Sequence, residues 1–151
     1  MTDFKTLTLY RQIAATPERV FTLITTRDGR AAWSAPSDTA AVIIDEFDCR
    51  PGGTERTRCG PKEAPDFQTH TTFHKVDRDC MACTENLVIG GQLLSTSLCT
   101  HDIAAQDGGT QLTVTLQIAS YAGDELFADY AQGWTAALDN LSRLAAETTD
   151  A

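Results

Sequence analysis

Short turns separate most of the extended segments between residues 40 and 118, and this spacing constrains the fold more than any other sequence feature. The turn residues are Arg50-Pro51-Gly52-Gly53, Asp77-Arg78-Asp79, Gly90-Gly91 and Asp107-Gly108-Gly109. Such short connections join antiparallel neighbours, because parallel strands need a crossover of a dozen or more residues. The sequence therefore predicts an antiparallel sheet. In the first turn we expect Gly53 to adopt positive φ, which a β-branched residue resists.

The segments beside these turns have the alternation of strands. In the clearest case, Leu112, Val114, Leu116 and Ile118 alternate with threonine and glutamine. A period of two places one face of a strand on the core and the other in water. The predicted strands cover residues 7–13, 40–47, 54–59, 67–76, 81–89, 92–104 and 112–118.

Sequence patterns typical of helices occur before and after the strand-rich region of residues 40–118. Thr16-Pro17-Glu18 begins a short amphipathic helix, because it combines a capping hydroxyl, a proline in the first turn and an acid at the positive helix end. Residues 26–29 end this helix, and residues 30–33 allow one more helical turn. After Asp124, apolar residues recur every three or four positions, which predicts one long helix. They are Phe127, Tyr130, Trp134, Leu138, Leu141 and Ala145.

These elements predict an α+β fold. A curved antiparallel sheet of about six to seven strands would wrap around the long C-terminal helix, with two short helices after the first strand. One helix cannot fill all the space beneath a strongly curved sheet, so we expect a cavity there. Phe127, Tyr130 and Trp134 would project into it. Because tyrosine and tryptophan need a partner for their polar tips when buried, we expect Tyr130 and Trp134 to line the cavity.

Length and charge exclude several classes of function. The 151 residues fit a single domain, residues 1–151. The chain has 12 Lys and Arg against 21 Asp and Glu, a net charge of −9, so it offers no basic face to nucleic acid or to an anionic membrane. No apolar stretch approaches the roughly 20 residues of a membrane-spanning helix, and the first residues do not resemble a signal peptide. We therefore expect a cytoplasmic protein with reduced cysteines.

Three motifs invite a metal or catalytic interpretation, but their spacing on strands opposes it. Cys80 and Cys83 are an odd number of residues apart, which points them to opposite faces of a strand. His70 and His74 share a face but would stand about 13 Å apart, too far for one zinc ion with bonds of about 2 Å. The adjacent His101 and Asp102 also face opposite ways. We expect no metal and no cofactor, and the sequence lacks the usual acyl-transfer, phosphate-loop and dinucleotide motifs.

With these elements in order, the sequence resembles the START-like superfamily, also called SRPBCC, which has the helix-grip fold. Within it, the chain is similar to the branch that contains the C-terminal domain of the activator of the ninety-kilodalton heat-shock-chaperone ATPase. The motifs that carry the resemblance are Thr16-Pro17-Glu18-Arg19-Val20-Phe21, Trp33, Phe47-Asp48-Cys49-Arg50-Pro51-Gly52-Gly53, Gly109-Thr110-Gln111-Leu112-Thr113-Val114, and Gly133-Trp134 with Leu138 and Leu141. The resemblance implies a hydrophobic ligand cavity between the sheet and the last helix.

The leading hypothesis is therefore a module that binds a small apolar molecule in this cavity. The candidate wall residues are Trp33, Phe73, Phe127, Tyr130 and Trp134, and the candidate polar contacts are His70, Cys99 and His101. One alternative is a co-chaperone that stimulates a heat-shock-chaperone ATPase. Another is a cavity enzyme of cyclase or hydrolase type with histidine as its general base, although no second catalytic group converges on a histidine.

Overall fold

Seven strands form one antiparallel sheet in the computed structural model, which describes residues 1–147. The strands are β1 (Asp3–Ile13), β2 (Ala40–Phe47), β3 (Thr54–Pro61), β4 (Phe67–Asp77), β5 (Cys80–Ile89), β6 (Gln92–Gln106) and β7 (Gly109–Ser120). Their spatial order is β1-β7-β6-β5-β4-β3-β2. Strands β2 to β7 are thus a meander of hairpins, and β1 joins its far end beside β7. This confirms the α+β fold with a curved antiparallel sheet.

Three helices cover one side of the sheet: α1 (Pro17–Thr25), α2 (Arg27–Ser34) and α3 (Leu126–Ala146). The Thr16 hydroxyl accepts a hydrogen bond from the Arg19 amide at 3.2 Å, and the Thr26 hydroxyl accepts one from Gly29 at 3.2 Å. Thr26 therefore ends α1 and caps α2. Because of this second cap, α2 begins at Arg27, earlier than the predicted turn at residues 30–33.

The turn between β2 and β3 uses its two glycines differently from our expectation. Gly52 has the positive φ, +86°, whereas Gly53 does not. A Cβ atom on Gly53 would lie 2.0 Å from the carbonyl oxygen of Asp48. Any side chain at position 53 would therefore collide with the backbone of the turn, which explains the glycine there. The positive φ belongs to Gly52.

The helices fill only one half of the space beneath the sheet. α3 approaches the sheet along β1 and β7, and also packs against α1 and α2. Beneath it, the inward residues in the middle of β7 are Leu112, Val114, Leu116 and Ile118, each 2% exposed or less. The half formed by β3, β4 and β5 is not covered in this way. The ladders within this half and at its two borders also contain β-bulges, which increase local bending and twist. They lie at Ile44/Glu46, Phe73/Lys75 and Leu87/Val88.

Candidate functional site

An open cleft of about 600 Å³ lies between strands β2–β5 on one side and helices α2 and α3 on the other. Its aromatic lining comes from Trp33 on α2, Phe67 on β4, and Tyr130 and Trp134 on α3. A much smaller space of about 20 Å³, the inner pocket, adjoins it. Arg30, Trp33, Glu85 and Trp134 line both spaces. The inner pocket is therefore the closed end of the cleft.

Four polar residues lie side by side on the sheet at this closed end. The strand register pairs Glu55 with Thr71, Thr71 with Glu85, and Glu85 with Ser97. We call these four residues the polar row. Adjacent strands are about 4.8 Å apart, so the Cα atoms of Glu55 and Glu85 are separated by about 10 Å, with Thr71 between them. Glu55, Thr71 and Glu85 all line the inner pocket.

Strand alternation explains why Glu55 faces inward. On β3, Glu55, Thr57 and Cys59 are buried. Arg56 and Arg58, on the other face, are exposed and pair with carboxylates of β2: Arg58 forms two 2.8 Å hydrogen bonds to Asp45. The strand thus places its basic residues in water and one acidic residue beneath the sheet.

Arg30 supplies the positive charge of the inner pocket. Its Nε atom lies 3.2 Å from Oε2 of Glu55, and the two side chains are 19% and 3% exposed. The guanidinium also lies over the ring of Trp33, 5.1 Å from its centroid, and contacts the hydroxyl of Ser34. The direction of the Arg30–Glu55 contact is not that of a hydrogen bond. Within residues 1–147, Glu55 Oε2 and Thr71 Oγ1 accept no hydrogen bond.

Burial changes the protonation of two further groups in the inner pocket. It raises the pKa of Glu85 to about 7, an effect that nearby Arg30 opposes and Glu55 reinforces. It also lowers the pKa of His101 to about 4, although the hydrogen bond to the Met81 carbonyl opposes this. His101 Nδ1 donates that bond at 3.1 Å, so His101 is neutral at pH 7 with its proton on Nδ1. Glu85 is poised between its two protonation states.

Six of the eight predicted site residues line the cleft or its inner pocket. Trp33, Phe73, Cys99 and His101 line the inner pocket, Tyr130 lines the cleft, and Trp134 lines both, as Trp33 does. The rings of Trp134 and His101 are in contact, with centroids 5.7 Å apart. The buried Tyr130 hydroxyl lies 2.6 Å from that of Ser95.

The other two predicted residues lie elsewhere. Phe127 is 8% exposed and belongs to the apolar core. His70 stands between the buried Thr69 and Thr71 on β4, so it faces the outer side of the sheet. His74 lies on that outer side too, where its Nε2 is 2.9 Å from the Thr84 hydroxyl. Neither histidine of β4 reaches the cleft.

The charged residues of the inner pocket, Arg30, Glu55 and Glu85, are not among the site residues predicted from the sequence. A charged residue in a strand is usually assigned to the solvent face. Strand alternation is the signal that indicates their inward position. Glu55 shares its face of the strand with Cys59, and Glu85 shares its face with Cys83 and Leu87. Arg30 lies one turn before Trp33 on α2, which brings both to the cleft.

The cysteines and histidines form no metal centre in the described part of the chain. Residues 1–147 contain no group of three or more His, Cys, Asp or Glu side chains able to hold a metal ion. Cys83 is buried beside Cys99 on the next strand, whereas Cys80 lies on the other face of β5. The interaction with the Cys99 thiol and burial raise the pKa of the Cys83 thiol, so it is protonated at neutral pH.

Comparison with known proteins agrees with this architecture. The family model described as activator of Hsp90 ATPase homolog 1-like protein matches residues 14–146. The chain belongs to this family. The match includes α1, α2, the strands β2–β7 and α3, and it confirms the resemblance to the START-like superfamily noted from the sequence. No curated protein sequence matches this chain.

Several solved structures share the fold over nearly the whole chain. A protein of Rhizobium leguminosarum is 22% identical, with a TM-score of 0.84 and coverage of 98% of each chain. A Rhizobium loti protein is 26% identical, with a TM-score of 0.83 over 95% of this chain and 98% of that one. A Chromobacterium violaceum protein is 20% identical, with a TM-score of 0.84 and the same coverage. Among residues 1–147, no helix combines the length and apolarity needed to span a membrane.

Proposed function

We propose that this chain binds a small, largely apolar molecule in the cleft between α3 and strands β2–β5. The observation that carries the proposal is the cleft itself: its volume of about 600 Å³ falls within the range of small-molecule sites. Trp33, Tyr130 and Trp134 would contact the apolar part of the ligand. Phe73, Cys99 and His101 would close the inner end. Family membership supports the proposal through the helix-grip fold.

The two tryptophans of the chain provide a direct test. Both Trp33 and Trp134 line the cleft, and the sequence contains no other tryptophan. A neutral, environment-sensitive naphthalene dye should therefore quench the protein fluorescence in a saturable manner with one site per chain. The variants Trp33→Phe and Trp134→Phe each leave one reporter, and both should respond. Absence of saturable quenching across a panel of neutral apolar dyes would contradict the proposal.

Association with a heat-shock chaperone is a second candidate, and the family match is the observation that favours it. A co-chaperone contacts its chaperone through its surface. Its stimulation of the ATPase rate should therefore be the same with a ligand in the cleft and without one. The test is ATP hydrolysis by the purified ninety-kilodalton chaperone with and without this protein. A rise in rate that saturates with protein concentration would support the candidate, and an unchanged rate would exclude it for the chaperone used.

A further inference from the structure

Two buried polar atoms at the closed end of the cleft have no hydrogen-bond partner in the described chain. They are Oε2 of Glu55 and Oγ1 of Thr71. These residues are 2% and 4% exposed, and they lie directly opposite each other on β3 and β4. Buried polar atoms in proteins are normally paired, by protein or by another molecule. Both residues line the inner pocket, and Glu55 Oε2 already lies 3.2 Å from Arg30 Nε in an ion pair. A donor placed in the pocket would therefore pair with Thr71 Oγ1 and share Glu55 Oε2 with Arg30.

The charges around the inner pocket are unequal. Its two carboxylates, Glu55 and Glu85, face one guanidinium, that of Arg30. His101 adds no positive charge, because its Nδ1 proton is held by the Met81 carbonyl and burial favours the neutral ring. Along the described lining of the wider cleft, Arg30 is again the only basic side chain, and Asp129 adds an exposed carboxylate on α3. Arg30 balances the charge of Glu55, so the unbalanced negative charge of the site is that of Glu85, which is mostly ionised at pH 7.5 because its pKa is about 7.

The size of the inner pocket limits what can occupy it. Its volume of about 20 Å³ exceeds the roughly 10–15 Å³ that one water molecule needs, so it accepts a head group of about that size. A primary ammonium is this small and carries three N–H donors. The rings of Trp33 and Trp134 also border the pocket, and aromatic faces attract cations.

We infer that the cleft selects molecules with a primary ammonium head and an apolar tail. This inference rests on the proposed function. The head group donates to Glu55 and Thr71 and neutralises the excess charge of Glu85, while the tail lies in the cleft against Tyr130 and Trp134. A carboxylate head would meet Arg30 but also two acidic side chains. A hydroxyl head carries a single O–H donor, so it can donate to only one of the two acceptors, and it brings no charge.

A matched series of compounds tests the head group separately from the tail. Octylammonium, octan-1-ol and octanoate are titrated at pH 7.5 into the wild-type protein, with tryptophan fluorescence and calorimetry as readouts. Octylammonium should bind at least ten-fold more tightly than octan-1-ol, and octanoate should bind most weakly. In Glu85→Gln the preference for octylammonium over octan-1-ol should fall to about three-fold or less, because only the ammonium loses a charged partner. Glu85 is the residue to change, because no described ion pair depends on it, whereas Glu55→Gln leaves Arg30 unpaired.

Asp102→Asn is the control, because Asp102 is an exposed carboxylate on the outer face of β6 beside His101. It should retain the full preference for the ammonium. Equal affinities for octylammonium and octan-1-ol would overturn the inference and leave the proposed function standing. Tightest binding of octanoate would do the same and would assign recognition to Arg30. Failure of all three compounds to bind would contradict the proposed function together with the inference.

Discussion

The two halves of the sheet follow the same alternation but bury different chemistry. Beneath β7 the inward residues from Leu112 to Ile118 are aliphatic, with buried Thr110 and Ser120 only at the strand ends, and α3 covers them. Beneath β3 and β4 the inward residues include Glu55, Thr57, Thr69 and Thr71, each buried, with an open cleft above them. Burial in the first half removes apolar surface from water and stabilises the fold. Burial in the second half desolvates polar groups, which costs stability unless they find partners. Local rules of this kind are broken mostly at functional sites.

A truncation in the filled half should have a large effect on stability. Leu116 on β7 is fully buried, so Leu116→Ala should reduce the free energy of unfolding by about 2–5 kcal/mol. The matched substitution Leu87→Ala removes a half-buried side chain that borders the cleft, and should cost about 1 kcal/mol. Urea denaturation measures both. Equal losses would mean that the two halves are packed alike.

The ion pairs of the two halves should also differ in how much they contribute to the free energy of unfolding. Glu55→Gln leaves Arg30 without its carboxylate in a largely buried position, so we expect a loss of about 3 kcal/mol. The pair between Arg11 of β1 and Asp139 of α3 is 3.0 Å long, but Asp139 is 65% exposed. Asp139→Asn should cost less than about 1 kcal/mol. Chemical unfolding of both variants measures the two losses of stability. A larger loss for Asp139→Asn than for Glu55→Gln would contradict the expected difference between the halves.

The two tryptophans provide a sharper contrast within the cleft. Trp33 is 2% exposed and its Nε1 donates a 2.7 Å hydrogen bond to the Leu23 carbonyl, so Trp33→Ala should cost about 3–5 kcal/mol. Trp134 is only half-buried because part of its ring faces the cleft, and Trp134→Ala should cost about 1–2 kcal/mol. Its dye affinity should nevertheless fall about ten-fold. A full core-sized loss of stability with unchanged affinity would assign Trp134 to the core.

A more modest effect is a pH dependence of stability that arises in the open half. The pKa of Glu85 is raised to about 7, so the folded state keeps a proton that the unfolded state releases above pH 4.5. Stability contributed by this proton is therefore lost as the pH rises from about 4.5 through 7.

The other titratable groups of the cleft and inner pocket are Arg30, Glu55, the buried thiols of Cys59, Cys83 and Cys99, His101, Asp129 and Tyr130. Comparison with Glu85→Gln cancels their shared contributions. Relative to the wild type, Glu85→Gln should gain about 1–2 kcal/mol between pH 5 and pH 8, after a discount for the part of Glu85 that faces solvent. A constant difference across this range would show that Glu85 titrates normally.

The fold was predictable because its signals are local. Alternation at Leu112–Ile118 predicts a strand, and the cap at Thr16 and the helical period after Asp124 each predict a helix. The short turns predict that consecutive strands are neighbours in the sheet. The start of α2 was harder to place, because Thr26 caps a second helix immediately after it ends the first. The role of Gly53 depends on a backbone contact with Asp48, five residues away, which the turn sequence alone does not specify.

The site was less predictable because it depends on register. The aromatic wall residues Trp33, Tyr130 and Trp134 could be found from helical spacing, since helix faces are set by sequence. The polar row could not, because Glu55, Thr71 and Glu85 become neighbours only through pairing of three strands. His70 differs from Thr71 by one position, and that single step moves a side chain from the cleft to the outer face.

Filling the cleft from α3 tests the central claim most directly. Gly133 lines the cleft, and a Cβ added to it would meet no atom within 4 Å. Gly133→Ala should raise the stability of the helix by about 1 kcal/mol and retain binding of the neutral naphthalene dye. Gly133→Leu should be at least as stable as the wild type, yet its larger side chain should occupy the cleft and weaken dye binding at least ten-fold. Undiminished dye binding by a folded Gly133→Leu protein would contradict the account.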